Sequence, residues 1–381
     1  MMPQSKSSGR GRGHISIRIW WRYLKIARNN YTPYVDKMEM KKGNMSSSAS
    51  RVRHFFVINP VCFHSRRDMD QVVAEIHRFF GARDEMAKAR PEYAVHVSRF
   101  PRDAIGAIRR FAGAAPAGAP LRVYAVGGDG ILFDCLNGVV GLPNAELGTI
   151  PYGMENSFYR VFGKNNKNIF RSLKAQTSAV SVPMDALYCG SNYALSYCLI
   201  GLESLTNVSS RILKSRHGFL RRNLPDLFCA MNLYANYLGM LVNRAVFKQT
   251  YRMWVDDEDW SGAHAIINIV NTPMHSGNKA IVPEAVPSDG WLDVLCSGDA
   301  NMLGVFRMML HYMRGKHAEH PDLFSHKRAK KVFVISESPL MLDLDGEVFY
   351  DKYITVETKP GVVRIIAPSS VADESGPGEG I

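Results

Sequence analysis

The sequence predicts an α/β N-terminal domain on a parallel sheet, followed by a mainly antiparallel β-sandwich C-terminal domain. Two observations carry this. From Arg53 to Pro151, short apolar runs alternate with stretches of helical period, the pattern of βα units. After Lys164–Lys167 the texture changes to many short strands parted by turns, the pattern of an antiparallel sandwich. The 381 residues suffice for two such cores. The expected organisation is a basic extension over 1–50, the α/β domain over 51–175, the sandwich with helical insertions over 176–368, and a flexible tail over 369–381.

In chain order, Phe55–Ile58 is the first strand, ended by Asn59-Pro60. Met69, Val72, Val73, Ile76, Phe79 and Phe80 repeat at helical spacing until Gly81. Tyr93, Val95 and Val97 alternate as a second strand; Asp103 then reads as the cap of a helix that turns Ala104, Ile105, Ile108 and Phe111 inward. Leu121–Val126 and Leu147–Pro151 are the next strands. In such sheets ligands gather at the carboxyl ends of strands, where Asn59, Ser98, Gly127–Gly130 and Gly153–Ser157 fall. In the second half, Ala179–Leu187, Tyr193–Ile200, Thr250–Val255, Ala265–Val270, Leu292–Cys296, Val332–Ser336, Leu340–Leu344 and Val363–Ile366 read as strands. Apolar insertions at Leu220–Leu238 and Met302–Met313 interrupt them.

The chain is organised around Leu121–Gly138, LRVYAVGGDGILFDCLNG. Gly127, Gly128 and Gly130 crowd a strand-to-helix junction, so backbone can approach a ligand closely there. The helix N-terminus behind them offers free N–H groups and the positive end of a dipole, which favours a phosphate. Asp129, inside the cluster, would repel that phosphate unless a magnesium ion lay between them. A tight βα turn with no ligand would use the same glycines.

Of the net charge of +12, eight units sit in residues 1–50, where ten Lys/Arg face only Asp36 and Glu39. The remaining body is close to ordinary. Within that extension Trp20, Trp21 and Tyr23 mix with Arg18, Arg22, Lys25 and Arg28. Three readings stay open: a basic amphipathic segment on an anionic membrane surface, a transit peptide, or an upstream extension with starts at Met38, Met40 or Met45. No run of eighteen apolar residues exists. Six scattered cysteines form no CxxC pair, which argues against a zinc site and a disulfide framework and sets a reducing cytosol as the default. His217, His275, His311 and His317 lack metal-ligand spacing and read as surface or satisfied polar groups.

GGDGILFDCLNG, then LGTIPYGMENSFYRVFG at Leu147–Gly163, then DGE at Asp345–Glu347, resembles the diacylglycerol kinase catalytic family. That family includes bacterial diacylglycerol and other lipid kinases and sphingosine kinases, and is distantly similar to NAD kinases. The likeness runs from about Arg53 to about Pro368. It implies ATP over the glycine loops, contacted by Asn59, Ser98, Gly127, Gly128, Gly130, Gly153 and Asn156, in the 51–175 domain. It also implies Mg2+ near Asp129, Glu347 as general base, and a second, structural Mg2+ at Asp289 in the turn SDGWLD. The acceptor would enter from the 176–368 side.

Departures from the family pattern are visible. NPVCFHSRR lacks the Ser-Gly after Asn-Pro, Ile131 stands for a Thr, Asp134 for a Glu, Met154 for a Thr and Ser157 for an Asp. The favoured reading is an ATP-dependent lipid kinase acting on a diacylglycerol-like or sphingoid hydroxyl. It is cytoplasmic, with peripheral contact to anionic membrane, no nucleic-acid partner, and a homodimer left open. The alternatives are a kinase of a soluble acceptor and a weakly active or non-catalytic nucleotide- or lipid-binding protein.

Overall fold

The computed structural model describes residues 52–63, 65–82, 92–116, 118–153, 156–163, 166–205, 207, 249–273, 275–276, 279–298, 302–312 and 314–368. The basic segment 1–50, the apolar insertion 220–238, Met154 and the tail 369–381 lie outside the described residues.

Strands β1 (Arg53–Ile58), β2 (Tyr93–Val97), β3 (Leu121–Gly127) and β4 (Ala145–Pro151) form a parallel sheet in the order β2-β1-β3-β4. Helices α1 (Arg66–Ala82), α2 (Asp103–Gly113) and α3 (Asp129–Val139) link them. The alternation of β1 explains why both faces need cover. Phe55 and Val57 pack with Ile108 and Phe111 of α2 and Ile131 and Leu136 of α3. Phe56 and Ile58 point the other way, against Met69, Ile76 and Phe80 of α1. Phe80 is essentially buried, and cutting it to Ala would cost about 3–5 kcal/mol.

Asp103 is not the cap of α2. Its carboxylate accepts from the Arg99 N–H at 3.0 Å and meets His96 Nε2 at 3.0 Å. The cap position falls to Arg102, in the left-handed region at φ 68°, with no side-chain cap bond. The backbone has to turn sharply here because the Asp134 carboxylate on α3 takes the Arg102 N–H at 2.8 Å.

Short helices α4 (Lys167–Arg171) and α5 (Leu173–Ser178) lead into β5 (Val180–Cys189), β6 (Asn192–Ala194) and β7 (Tyr197–Gly201). Then come β8 (Thr250–Val255), β9 (Glu258–Asp259), β10 (Gly262–Ala263), β11 (Ile266–Val270), β12 (His275–Ser276), β13 (Lys279–Ala280) and β14 (Leu292–Ser297). Helix α6 (Met302–Tyr312) precedes β15 (Phe324–Ala329), β16 (Lys331–Leu344) and β17 (Glu347–Ala367). These strands pair antiparallel, in the order β15-β14-β11-β7-β16-β17. In β8 the period of two is plain: Tyr251, Met253 and Val255 are buried, while Thr250, Arg252 and Trp254 face out.

Three strand expectations change. Tyr193–Ile200 is split into β6 and β7, because the chain leaves its pairing with β5 after Ala194 and pairs with β11 and β16 from Tyr197. Val332–Ser336 and Leu340–Leu344 are one strand, β16, whose pairing slips between Ile335 and Leu340 as at a β-bulge. Val363–Ile366 is the end of β17, and Arg364 and Ile365 pair in parallel with Glu146 and Leu147 of β4. One strand therefore starts at Glu347 among the antiparallel strands and finishes in the parallel sheet. Among the described residues no helix is long and apolar enough to cross a membrane.

Candidate active site

The parallel order puts β1 between β2 and β3, so the chain leaves β1 to one side and returns on the other. Ligands sit outside the carboxyl ends of strands at such a switch point. Two of the singled-out residues are there. The Asn59 N–H donates to Val126 O at 3.0 Å, joining the ends of β1 and β3, and the Ser98 N–H donates to Ile58 O at 2.8 Å. Both side chains turn to their own loops: Asn59 Oδ1 accepts from the Val61 N–H at 3.1 Å and Ser98 Oγ donates to Phe100 O at 3.2 Å.

The glycine loop is in backbone contact with the loop after β4. The Tyr152 and Gly153 N–H groups both donate to Gly127 O, at 3.0 and 2.9 Å. A Cβ on Gly153 would stand 2.6 Å from Gly128 N, a backbone atom that cannot swing aside, so only glycine closes this contact. Asn156 is buried, and its Nδ2 donates to Gly153 O at 2.6 Å. Its Oδ1 is also buried and finds no hydrogen-bond partner among the described residues.

Asp129 opens α3 and is held by Ser157. The Ser157 N–H reaches both carboxylate oxygens, at 3.1 and 3.0 Å, and the Ser157 hydroxyl donates to Oδ2 at 2.8 Å. The sequence reading treats Ser157 as the loss of a useful carboxylate. In the structure it supplies two donors that fix Asp129, where an Asp would bring like charge against it. Met154, the other expected loss, lies outside the described residues.

Glu347 arrives from 217 residues beyond Gly130. The DGE turn is a two-residue hairpin joining β16 to β17, with Asp345 at φ 47° and Gly346 at φ 91°, the signs of a type I′ turn. It is anchored by Asp345, whose carboxylate accepts N–H bonds from Leu195 at 2.5 Å, Ser196 at 2.9 Å and Tyr197 at 2.9 Å. Burial pushes the Asp345 carboxyl up to about 7; those donors pull the other way, and the charge of Asp129 adds to the rise. Glu347, next on the strand, reaches the first turn of α3. A Cβ placed on Gly130 would lie 2.6 Å from Glu347 Oε1. The third glycine of GGDG is thus what admits the DGE carboxylate, and the helix N-terminus favours an anionic group there.

Sequence reasoning misses a further group. Arg102, with Asn192 as partner at 2.6 Å, lies over the rings of Phe133 (5.5 Å) and Phe349 (5.9 Å). Phe349 is two residues after Glu347 and shares its face of β17. No sequence signal marks this, because the contacts span α2, α3, β6 and β17. Asp134, beneath, is raised above the usual carboxylate range mainly by burial, against the Arg102 N–H.

Asp289 does not join this group. Its carboxylate accepts from the Trp291 N–H at 3.0 Å and pairs with Arg328, while the Lys330 ammonium donates to Gly290 O. Two cations of the chain itself stand on the carboxylate and carbonyl of that turn.

The architecture and site define a class: glycine loops at the carboxyl edge of an α/β sheet, met there by a carboxylate from an antiparallel domain. Comparison with known proteins agrees. Residues 63–189 match the diacylglycerol kinase catalytic domain, and residues 230–367 match the YegS C-terminal NAD kinase beta sandwich-like domain. A diacylglycerol kinase of Staphylococcus saprophyticus is 27% identical over 226 residues, which is 59% of this chain and 70% of that protein. The crystal structure of a diacylglycerol kinase from Bacillus anthracis covers 86% of this chain and 100% of its own, at 18% identity and a TM-score of 0.58. A second structure from the same organism covers 87% and 100%, at 20% identity and 0.62. On both sides of residue 190 the chain is thus similar to the diacylglycerol kinase catalytic family, and the matches support an ATP-dependent lipid kinase.

Proposed function

We propose that this protein transfers the γ-phosphate of ATP to the hydroxyl of a lipid, with Glu347 as the general base. The observation that carries the proposal is the approach of the Glu347 carboxylate to Gly130, on the first turn of the helix that the glycine loop opens. The residues present fit ATP with Mg2+ at this edge. The two glycine loops meet backbone to backbone, Asn156 offers a buried acceptor with no described partner, and Asp129 is a fixed carboxylate. Asp129 would hold the magnesium ion, which supplies charge neutralisation for the phosphates.

The chain's own part follows from geometry. Backbone N–H groups of Gly128–Gly130 receive phosphate oxygens at the helix N-terminus. Ser157 keeps Asp129 from swinging. Glu347 takes the proton of the acceptor hydroxyl as that oxygen bonds to the γ-phosphorus and the bond to the departing ADP breaks. Arg102, over the ring of Phe349, is a cation near Glu347 on the same face of β17.

At Asp289 the residues present do not favour an ion, because Arg328 and Lys330 supply the positive charge there. We assign that turn no magnesium.

The test is a labelled-ATP transfer assay with diacylglycerol and sphingoid bases in anionic vesicles, and with NAD in solution. It is run on the full chain, on Glu347→Gln and on a chain lacking residues 1–44. The expected result is transfer to a lipid, a loss of about 10²–10⁴-fold in Glu347→Gln with ATP binding retained, and weaker, less salt-sensitive vesicle binding without the basic extension. Transfer to NAD alone, or near-normal turnover by Glu347→Gln, would contradict the proposal.

A further inference from the structure

We propose that Glu284, His317 and His326 form a binding site for one divalent transition-metal ion of the zinc class, in the antiparallel domain and apart from the glycine-loop site. The three come from separate elements: the loop before β14, the 3-10 turn His317–Glu319 that follows α6, and β15. His317 Nε2 lies 2.6 Å from Glu284 Oε1, and His326 Nδ1 lies 3.6 Å from the same oxygen. One ligand atom from each residue falls within 4.8 Å of the other two. Ligands bound at about 2.0–2.1 Å in a tetrahedral shell stand somewhat over 3 Å from one another, so small side-chain shifts would open this group to an ion.

Two features argue for a built site over a chance ion pair. The first is the orientation of His326. Its Nε2 is bound at 2.9 Å to the buried carboxylate of Asp293, which turns Nδ1 toward Glu284. A carboxylate on the far ring nitrogen is the usual support of a metal-binding histidine. The second is the fixing of His317. It is buried, with its ring edge-on to those of Phe324 and His326, at 6.4 and 5.2 Å. Glu284 and His326 are partly exposed, which leaves a solvent-facing side for entry and for a fourth ligand.

The donor set selects the ion. Two imidazoles and one carboxylate suit zinc and its neighbours, and are poor ligands for magnesium, which takes oxygen. The arrangement would clip α6, whose Met308 and Tyr312 are buried in the adjacent core, to the β14–β15 pair. Its role would be structural, since none of these residues meets the proposed active site.

The experiment uses the full chain, freed of metal by a chelator and dialysed against Zn2+, Co2+ or Mg2+. Metal content and melting temperature are measured for wild type, Glu284→Gln, His326→Gln, Asp293→Asn and Glu347→Gln. Expected are one retained zinc per chain, a raised melting temperature with Zn2+ but not Mg2+, and visible absorption bands in the cobalt form. Glu284→Gln and His326→Gln, both at the surface and expected to fold, should lose the ion. Asp293→Asn should weaken zinc binding about 10–100-fold, and Glu347→Gln should bind it as wild type does, whatever its kinase activity. If wild type retains no zinc or cobalt, or the Glu284 and His326 variants retain as much as wild type, the group is a hydrogen-bonded cluster and the proposal fails.

Discussion

Asp129 and Asp289 are both aspartates on glycine turns, and the family resemblance assigns a magnesium ion to each. Their surroundings differ. Asp129 accepts from the N–H and hydroxyl of Ser157, which fix its carboxylate in place. Asp289 meets the guanidinium of Arg328, with the Lys330 ammonium on the neighbouring carbonyl. Ser157 fixes the Asp129 carboxylate without adding charge, whereas Arg328 brings a counter-charge to Asp289. The lesson is that an Asp-Gly turn is read by what donates to it, and the donors are seldom nearby in sequence.

The largest effect that would break this comparison lies at Gly130. An Ala there places a methyl 2.6 Å from Glu347 Oε1, so the carboxylate must move. Displacement of a reacting group by about 1 Å can cost about 10²-fold, so kcat/KM should fall by that order while the circular dichroism spectrum and melting temperature stay close to wild type. A Gly130→Ala enzyme of normal kcat/KM would show that Glu347 does not work from this position.

Next comes Ser157. Ser157→Ala removes one hydrogen bond to a charged group, a loss of about 1.5–3 kcal/mol where fully expressed, and should raise the KM for ATP by roughly tenfold or more. Ser157→Asp, which restores the residue type of the family, should also weaken ATP binding, because it sets a second carboxylate beside Asp129. A lower KM in Ser157→Asp would mean that the serine is a plain loss.

A third carboxylate on a turn sharpens the contrast through pH. Asp345 and Glu203 are both raised to about 7 by burial. The folded chain therefore binds more protons than the unfolded one between about pH 4 and pH 7, so this contribution to stability is complete in acid and is lost as pH rises through about 7. The melting temperature should decline from about pH 4 to about pH 7 and level off above that. Asp345→Asn, which replaces one of the two oxygens that accept from the Leu195, Ser196 and Tyr197 N–H groups with a donor, should melt lower and with a shallower decline. An identical slope in the variant would remove Asp345 as a source.

The smallest effect is at Arg328, which is about half exposed. Arg328→Ala should cost only about 0.2–1 kcal/mol, and should make the melting temperature responsive to magnesium where the wild type is not. Magnesium stabilisation already present in the wild type, and abolished by Asp289→Asn, would return the ion to that turn.

Most of the architecture was legible because it rests on periods. Phe55–Ile58 against Met69–Phe80 needs only alternation and helical spacing, which a single sequence displays. The course of β17 was not, because Asp351, Lys352, Glu357 and Lys359 interrupt any apolar run, and its ends pair with β16 and β4. In the candidate site, GGDG and DGE were readable as motifs. That Gly130 makes room for Glu347, that Ser157 grips Asp129, and that Asp345 spends its oxygens on Leu195–Tyr197 all depend on contacts across 28 to 217 residues. His317 and His326 likewise show no ligand spacing, since Glu284 reaches them from a different loop.

The central claim is that the glycine loop and the DGE carboxylate act as one site, and a double-mutant cycle tests it most directly. Glu347→Asp keeps a carboxylate but withdraws it by one methylene, leaving room above residue 130. Labelled phosphate transfer to lipid would be measured for wild type, Gly130→Ala, Glu347→Asp and the double variant. If the two residues meet, the penalty of Gly130→Ala in kcat/KM shrinks several-fold in the Glu347→Asp background, because the methyl no longer strikes the carboxylate. If the two losses simply multiply, the residues act independently and the account of the site is wrong.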